Sequence, residues 1–149
     1  MPTVIYTPFP SVIPATSGIV GPTAAPAAGR GFSVQLTKYS NLNLNSAAQT
    51  TLFTTPTTGI TRCVIEDIYL VNFSGAWTTA SVSFGANGTP TDFAATQTFS
   101  GANTNKRCRV VENAGGVATY TTNVSIVAVV TIVQGVAATC DVEVWGWYE

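Results

Sequence analysis

The sequence predicts an all-β fold, an antiparallel β-sandwich carrying an extended N-terminal arm, and three observations predict it. From Phe32 onward apolar and polar residues alternate in short runs rich in Val, Thr, Ile and Phe, punctuated by turn residues. No stretch shows the three-to-four-residue periodicity of a long amphipathic helix. Of the eight prolines, Pro2, Pro8, Pro10, Pro14, Pro22 and Pro26 fall before residue 30, in a segment without a charged side chain. Proline fixes φ and removes an amide donor, so residues 1–29 read as extended chain. At about 3.1 Å per residue they reach on the order of 90 Å, further than the width of the domain they precede.

The chain divides at about residue 31 into a Pro-rich arm with its linker, 1–31, and a sandwich domain, 32–149. Within the arm, Val4, Ile5, Tyr6, Phe9, Val12 and Ile13 are large apolar residues that a mere tether does not need, and they are candidate contacts with a partner. Gly18 to Gly31 is small and linker-like. In the domain, Phe32, Val34 and Leu36 alternate with Ser33, Gln35 and Thr37 to give a first strand with one buried face. A second strand covers Gln49 to Thr54 and is ended by Pro56 and Gly59. Ile60 to Phe73 is long for one strand, and the adjacent Glu66 and Asp67 break its period, which predicts a bulge there.

Ala80, Val82 and Phe84 form the inward set of the next strand, before the Asn87-Gly88 turn. Ala86 to Asn105 is small, polar and long, and reads as a functional loop or as a loop holding a helical turn around Asp92 to Thr98. Cys108 and Val110 then face inward and Arg107 and Arg109 outward, before a turn at Gly115-Gly116. Asn123 to Val133 and Thr139 to Tyr148, separated by Gln134-Gly135, read as a β-hairpin. One face of its first strand carries Val124, Ile126, Ala128, Val130 and Ile132; the other carries Val127, Val129 and Val133. Both are apolar, so this strand is expected to be covered on both sides. Roughly eight short strands in about 120 residues fit a two-sheet sandwich, with a partly open barrel as the alternative.

Composition narrows the function. Charged residues make up 9% of the chain, against about 25% in an ordinary soluble domain. A surface so poor in charge implies coverage by partners, in an oligomer or a larger assembly. A net charge of −1 offers nucleic acid no field, so no nucleic-acid partner is expected. No run of about twenty apolar residues could cross a bilayer, and the N-terminus lacks the pattern of a cleaved leader. Neither a membrane partner nor a cleaved leader is expected. Cys63, Cys108 and Cys140 are far apart, form no CxxC pair and read as reduced core thiols, with one disulfide and a leftover thiol as the alternative.

The chain has no histidine, which removes Ser-His and Cys-His nucleophiles and the usual zinc and non-haem iron sites. No phosphate loop or dinucleotide fingerprint is present. No catalytic residue, metal or cofactor is expected, and the chain does not read as an enzyme. The acids that could form a glycosidase pair are best placed at Asp141 and Glu143, which share a strand face and read as solvated carboxylates. Lys106, Arg107 and Arg109 form a basic patch suited to an acidic partner, or charges that keep an edge strand from pairing. Trp145 and Trp147 lie on the face of Asp141, Glu143 and Glu149, opposite Cys140, Val142, Val144 and Tyr148. They could anchor a protein interface or stack on a sugar, or simply pack under the arm or a loop. The triplets beginning at Asn72, Asn87 and Asn123 match the N-glycosylation pattern by chance in so Asn- and Thr-rich a chain.

The Thr/Ala/Asn-rich β pattern, the uncharged Pro-rich arm and the final CDVEVWGWYE strand together resemble small bacteriophage virion proteins, and among them the capsid decoration, or cement, proteins. That resemblance implies a jelly-roll-like sandwich, a homotrimer, the major capsid protein as partner and a place on the capsid exterior, after synthesis in the host cytoplasm. It implies a structural protein that stabilises a shell by bridging capsid subunits with its arm. A phage tail or fibre module binding a host glycan through Trp145, Trp147 and the 86–105 loop is the alternative, and a shell building block a third.

Overall fold

A computed structural model of the chain describes residues 33–99 and 106–149. The candidate contacts Val4, Ile5, Tyr6, Phe9, Val12 and Ile13 lie outside the described residues, as does Phe32. The described part is all-β, with nine strands: β1 (Val34–Asn43), β2 (Gln49–Thr54), β3 (Cys63–Val71), β4 (Ser81–Ala86), β5 (Thr89–Thr98), β6 (Cys108–Arg109), β7 (Thr119–Tyr120), β8 (Ser125–Ile132) and β9 (Thr139–Tyr148). They form two antiparallel sheets. Sheet A runs β1-β9-β3-β6, with β7 also on β3; sheet B runs β2-β8-β4-β5. With β6 and β7 counted as one interrupted strand, this is the order of a jelly roll, a double sheet of two Greek keys.

The fold brings the chain ends together. β1 pairs with β9 and β2 with β8, so nearly every ladder joins residues far apart in sequence. The core between the sheets takes the inward positions of the alternation: Leu36 and Leu42 from β1, Ile65, Ile68 and Leu70 from β3, Val82 and Phe84 from β4, Ile126, Ala128 and Val130 from β8, Val142 and Val144 from β9. At one end Trp77 is fully buried and stacks at a tilt on Phe73 and Phe99, at centroid distances of 5.4 and 5.3 Å. These aromatic pairs close the sandwich where the strands diverge.

Several sequence expectations hold and three fail. The second strand has the expected bounds, and the ladder of β3 against β9 shifts register between Ile65 and Asp67, at the expected bulge. Val34 is 40% exposed at the start of β1 although the alternation placed it inward; β1 shifts register between Gln35 and Thr37. The stretch after Ala86 is a strand: β5 pairs with β4 over Thr89 to Thr98. Its small polar side chains hid it, because a strand whose inward residues are few shows no period-two signal. Two register shifts against β4 add to the irregularity. No hairpin joins the last two long strands either, since β8 lies in sheet B and β9 in sheet A. Residues 133–138 cross from one sheet to the other, a span of about 10 Å. Local alternation is the same for a hairpin and for such a crossing.

Gly146 shows how tightly sheet A is built. It lies in β9 between Val34 of β1 and Ile65 of β3. A Cβ there would run into the carbonyl of Val64 and approach the Ile65 Cα, both backbone atoms. The only relief is movement of β3, in a central ladder. Gly146→Ala is therefore expected to lower stability by about 2–3 kcal/mol, read as a fall in the urea midpoint; an unchanged midpoint would show that β3 gives way freely.

Candidate functional site

The outward faces of the two sheets differ in kind, and this difference is the best guide to function. Among the described residues, every charged side chain except Asp92 and Glu112 lies on a sheet A strand or within two residues of one; β2, β4 and β8 carry none, and Glu112 lies in the segment bonded along the β5 edge. Asp92 is itself engaged: its carboxylate accepts from the Ala86 amide at 3.0 Å, the Thr89 hydroxyl at 2.9 Å and the Tyr120 hydroxyl at 3.0 Å.

Sheet A's outer face is a lattice of ion pairs. Asp141 on β9 accepts hydrogen bonds from the Asn41 amide at 3.0 Å and the Asn72 side chain at 2.7 Å, and pairs with Lys38 at 3.1 Å. It thereby ties β9 to both neighbouring strands. Asn41 and Asn72 have φ of 60° and 53°, left-handed geometry that asparagine tolerates better than most residues. Arg107 pairs with Glu143 at 3.1 Å, and its guanidinium lies 3.8 Å from the centre of the Tyr69 ring and 5.8 Å from that of Trp145. Arg109 pairs with Asp67, and Arg62 with Glu149 at 2.6 Å. The basic patch read from Lys106, Arg107 and Arg109 is thus largely spent on the chain's own acids, because β6 lies beside β3 and brings both arginines over acids of sheet A.

Trp145 and Trp147 are half-buried on this same face, as the alternation predicted. Trp145 sits opposite Gln35 and Asp67, and Trp147 opposite Val64. The indole nitrogen of Trp145 is buried, and the 86–105 loop that would have completed a sugar site is largely β5. The structure does not assemble these features into one site. Asp141 is also no simple solvated carboxylate, being 9% exposed and held by three groups.

Across β2, β8 and β4, sheet B's outer face is built of small residues that carry no charge of their own, and the one carboxylate beside it is that of Asp92, which stands against Gly85. The register sets two rows across it: Thr51, Val127 and Gly85, then Gln49, Val129 and Ser83. Val127 is 0% exposed although it points away from the sheet-to-sheet core, Ser83 is buried, and Val129 is half-buried. The expectation that β8 is covered on both faces thus holds at its middle and fails at its end, where Ile132 is 55% and Val133 36% exposed. Beyond it Val136 is 63% exposed. These aliphatics are held up by a rigid connection. The side-chain Oε1 of Gln134 accepts from the backbone amides of Thr78, Thr79 and Ala80 at 3.1, 3.2 and 3.2 Å, and its Nε2 donates to the Thr78 hydroxyl at 2.9 Å. The sequence offered Gln134-Gly135 only as a turn, since three amides from a distant loop leave no local mark.

The cysteines are free. Burial pushes the thiols of Cys63 and Cys140 up to about 12, so both stay protonated. No cluster of acids and cysteines able to hold a metal occurs among the described residues.

No model of a known protein family matches the chain, and no curated protein does. Among solved structures it is similar to a chain of the cyanophage Pam1 capsid asymmetric unit, with a TM-score of 0.50 and 18% identity over 91% of this chain and 99% of that one. At that identity the likeness is one of fold.

Asp141 makes the lattice sensitive to pH. Burial raises its pKa, but the hydrogen bonds from Asn72 and Asn41 and the charge of Lys38 outweigh burial and hold it below the ordinary value of 3.8. A carboxylate depressed on folding stabilises the fold above its unfolded pKa and loses that contribution as pH falls through the folded one. Asp141→Asn is expected to be less stable than the parent at pH 7, with the gap narrowing below about pH 4. Urea midpoints at pH 7 and pH 3 measure this; a gap of equal size at both would separate the effect from ionisation.

Proposed function

We propose that this chain is a structural virion protein that decorates and stabilises a phage capsid by bridging its subunits, as a trimer on the capsid exterior, with its N-terminal segment as one of the contacts. The observation that carries this reading is the fold-level match with a chain of a phage capsid asymmetric unit, covered almost end to end by a chain of similar length. A small sandwich that matches a capsid chain from end to end suits an accessory role in a shell. The major capsid protein is the expected partner, and no chemical step is required.

The segregation of charge supports the same reading. A face bearing ion pairs is at home in water, whereas burying charges in an interface without good partners is costly. Sheet B's face, with Val127, Val129 and the small residues beside them, and the exposed Ile132, Val133 and Val136 at its end, can be covered without that cost. On this reading Arg107, Arg109, Trp145 and Trp147 serve the exposed face, and Val129 with Ile132, Val133 and Val136 serves the contact, while Val127 is already fully buried within the chain and lends that face only its packing. Several weak contacts on one rigid body, together with an arm, multiply into strong attachment to a repeating surface.

The test is reconstitution. Purified full chain, added to capsids of the phage that encodes it prepared without it, is expected to cosediment with them and to raise the temperature at which they break open. A chain beginning at Arg30 is expected to bind at least ten times more weakly, as loss of one of several linked contacts does. Failure of the full chain to sediment with the shells would overturn the proposal.

A further inference from the structure

A double sheet has four long edges, and an edge strand with free amides and carbonyls invites another strand unless it is blocked. Three of the four are blocked here. The β5 edge is sealed by residues 111–117: the Asn113 amide donates to the Phe93 carbonyl at 2.9 Å, the Val117 amide to the Asp92 carbonyl at 2.8 Å, and the Ala95 amide to the Asn113 side chain at 2.8 Å. The far edge of β3 is covered by the short β6 and β7, the former flanked by cations. The β1 edge carries Lys38 and two register shifts.

The fourth edge is β2, and it lacks most of these protections. Among the described residues β2 pairs only with β8. Its sequence, Gln-Thr-Thr-Leu-Phe-Thr, holds no charge and no proline, and its single irregularity lies between Thr51 and Phe53. Thr, Leu and Phe side chains fit a further ladder well. An added strand here would extend the sheet beside β2 and β8, which carry no charged side chain, and would desolvate no charge on them.

The chain itself contains a segment suited to that edge. Residues Thr3, Val4, Ile5, Tyr6 and Thr7 lie between Pro2 and Pro8 and are all β-branched or aromatic. From Pro8 to Pro14 prolines recur too often for a ladder, and the glycine- and alanine-rich stretch after it has little strand tendency. The intervening residues 8–32 could span on the order of 75 Å at about 3.1 Å per residue. β1, where the described chain begins, packs beside β2 of the same domain, and its own ten residues cover only about 33 Å. Such a tether is far longer than a return to its own β2 requires.

We infer that Thr3–Thr7 of one copy adds as an antiparallel or parallel strand to the free edge of β2 in a second copy, extending sheet B across the junction. This is strand addition, in which main-chain hydrogen bonds supply the affinity and alternate side chains the fit. The inference rests on the proposed function only for expecting several copies side by side; the contact itself needs no capsid.

The experiment is amide hydrogen exchange on the full purified chain and on Ile5→Pro, over a range of concentrations, with light scattering on the same samples. Proline at position 5 removes the amide donor that the inferred ladder would use, and unchanged exchange in β9 certifies the fold. The expected result is that Gln49–Thr54 exchanges at least ten times faster in Ile5→Pro, that the parent's protection there grows with concentration, and that the variant's mass falls towards the monomer. Equal β2 protection in both proteins would overturn the inference. So would faster exchange in the variant of a parent that is monomeric at every concentration, because the strand would then add to its own copy. Assembly through β2 combined with no binding to capsids would remove the capsid reading and leave this one standing.

Discussion

The rest of the structure depends on one placement: the last strand of the domain must enter the middle of sheet A, between the first strand and the third. β9 pairs with β1 along one edge and with β3 along the other, and without it sheet A has no continuity. The crowding at Gly146 follows from this, since the backbones of two neighbours close on one residue. So does the position of Asp141, which reaches donors from the β1 and β3 sides because its own strand lies between them. A ladder closed only by the end of the chain is of high contact order, and folding is expected to be slow compared with that of a helical protein of this size.

The same placement explains why the two outer faces can differ. β9 brings Asp141, Glu143, Trp145 and Trp147 to one surface, where β1 supplies Lys38, β6 supplies Arg109 and the residue before β6 is Arg107. β8, the matching central strand of sheet B, has only aliphatic, Ser and Thr side chains. Two central strands of opposite character therefore give two sheets of opposite character, and their neighbours follow suit.

Strand existence was largely legible in the sequence, and strand partnership was not. The inward set of Val82 and Phe84, the bulge at Glu66 and Asp67 and the sharing of one face by Trp145 and Asp141 are properties of short windows, where a period of two is visible. The β8 to β9 crossing and the β5 strand were misread for a physical reason: sheet membership is decided by contacts between distant segments, and β5 draws its regularity from β4 and from residues 111–117. Of the contact residues read from the sequence, Val127, Val129, Arg107, Arg109, Trp145 and Trp147 were legible by face. For the arginines the sequence offered an acidic partner or the blocking of an edge strand, and their intramolecular acids, Glu143 and Asp67, were not legible because they lie far away along the chain. Gln134 left no trace at all, since a glutamine that accepts three amides looks like any other glutamine in a turn.

Magnitudes decide what the ion pairs of sheet A are for. Exposed pairs contribute about 0–1 kcal/mol each, and the cations here are about half-exposed, with Arg62 and Arg107 at 51%. Burial of one large aliphatic side chain contributes about 1.5–3 kcal/mol, and the core contains many. Stability is therefore set by the apolar layer, and exchanging the pairs for neutral side chains would cost the fold little beyond the buried Asp141. Their collection on one face has its larger effect on hydration: it keeps that surface wet in a chain with few charges to spare, and it leaves the other sheet free to be covered. On the reading proposed above, a domain that collects its scarce charge on one side has an inside and an outside at the level of an assembly as well as at the level of its own core.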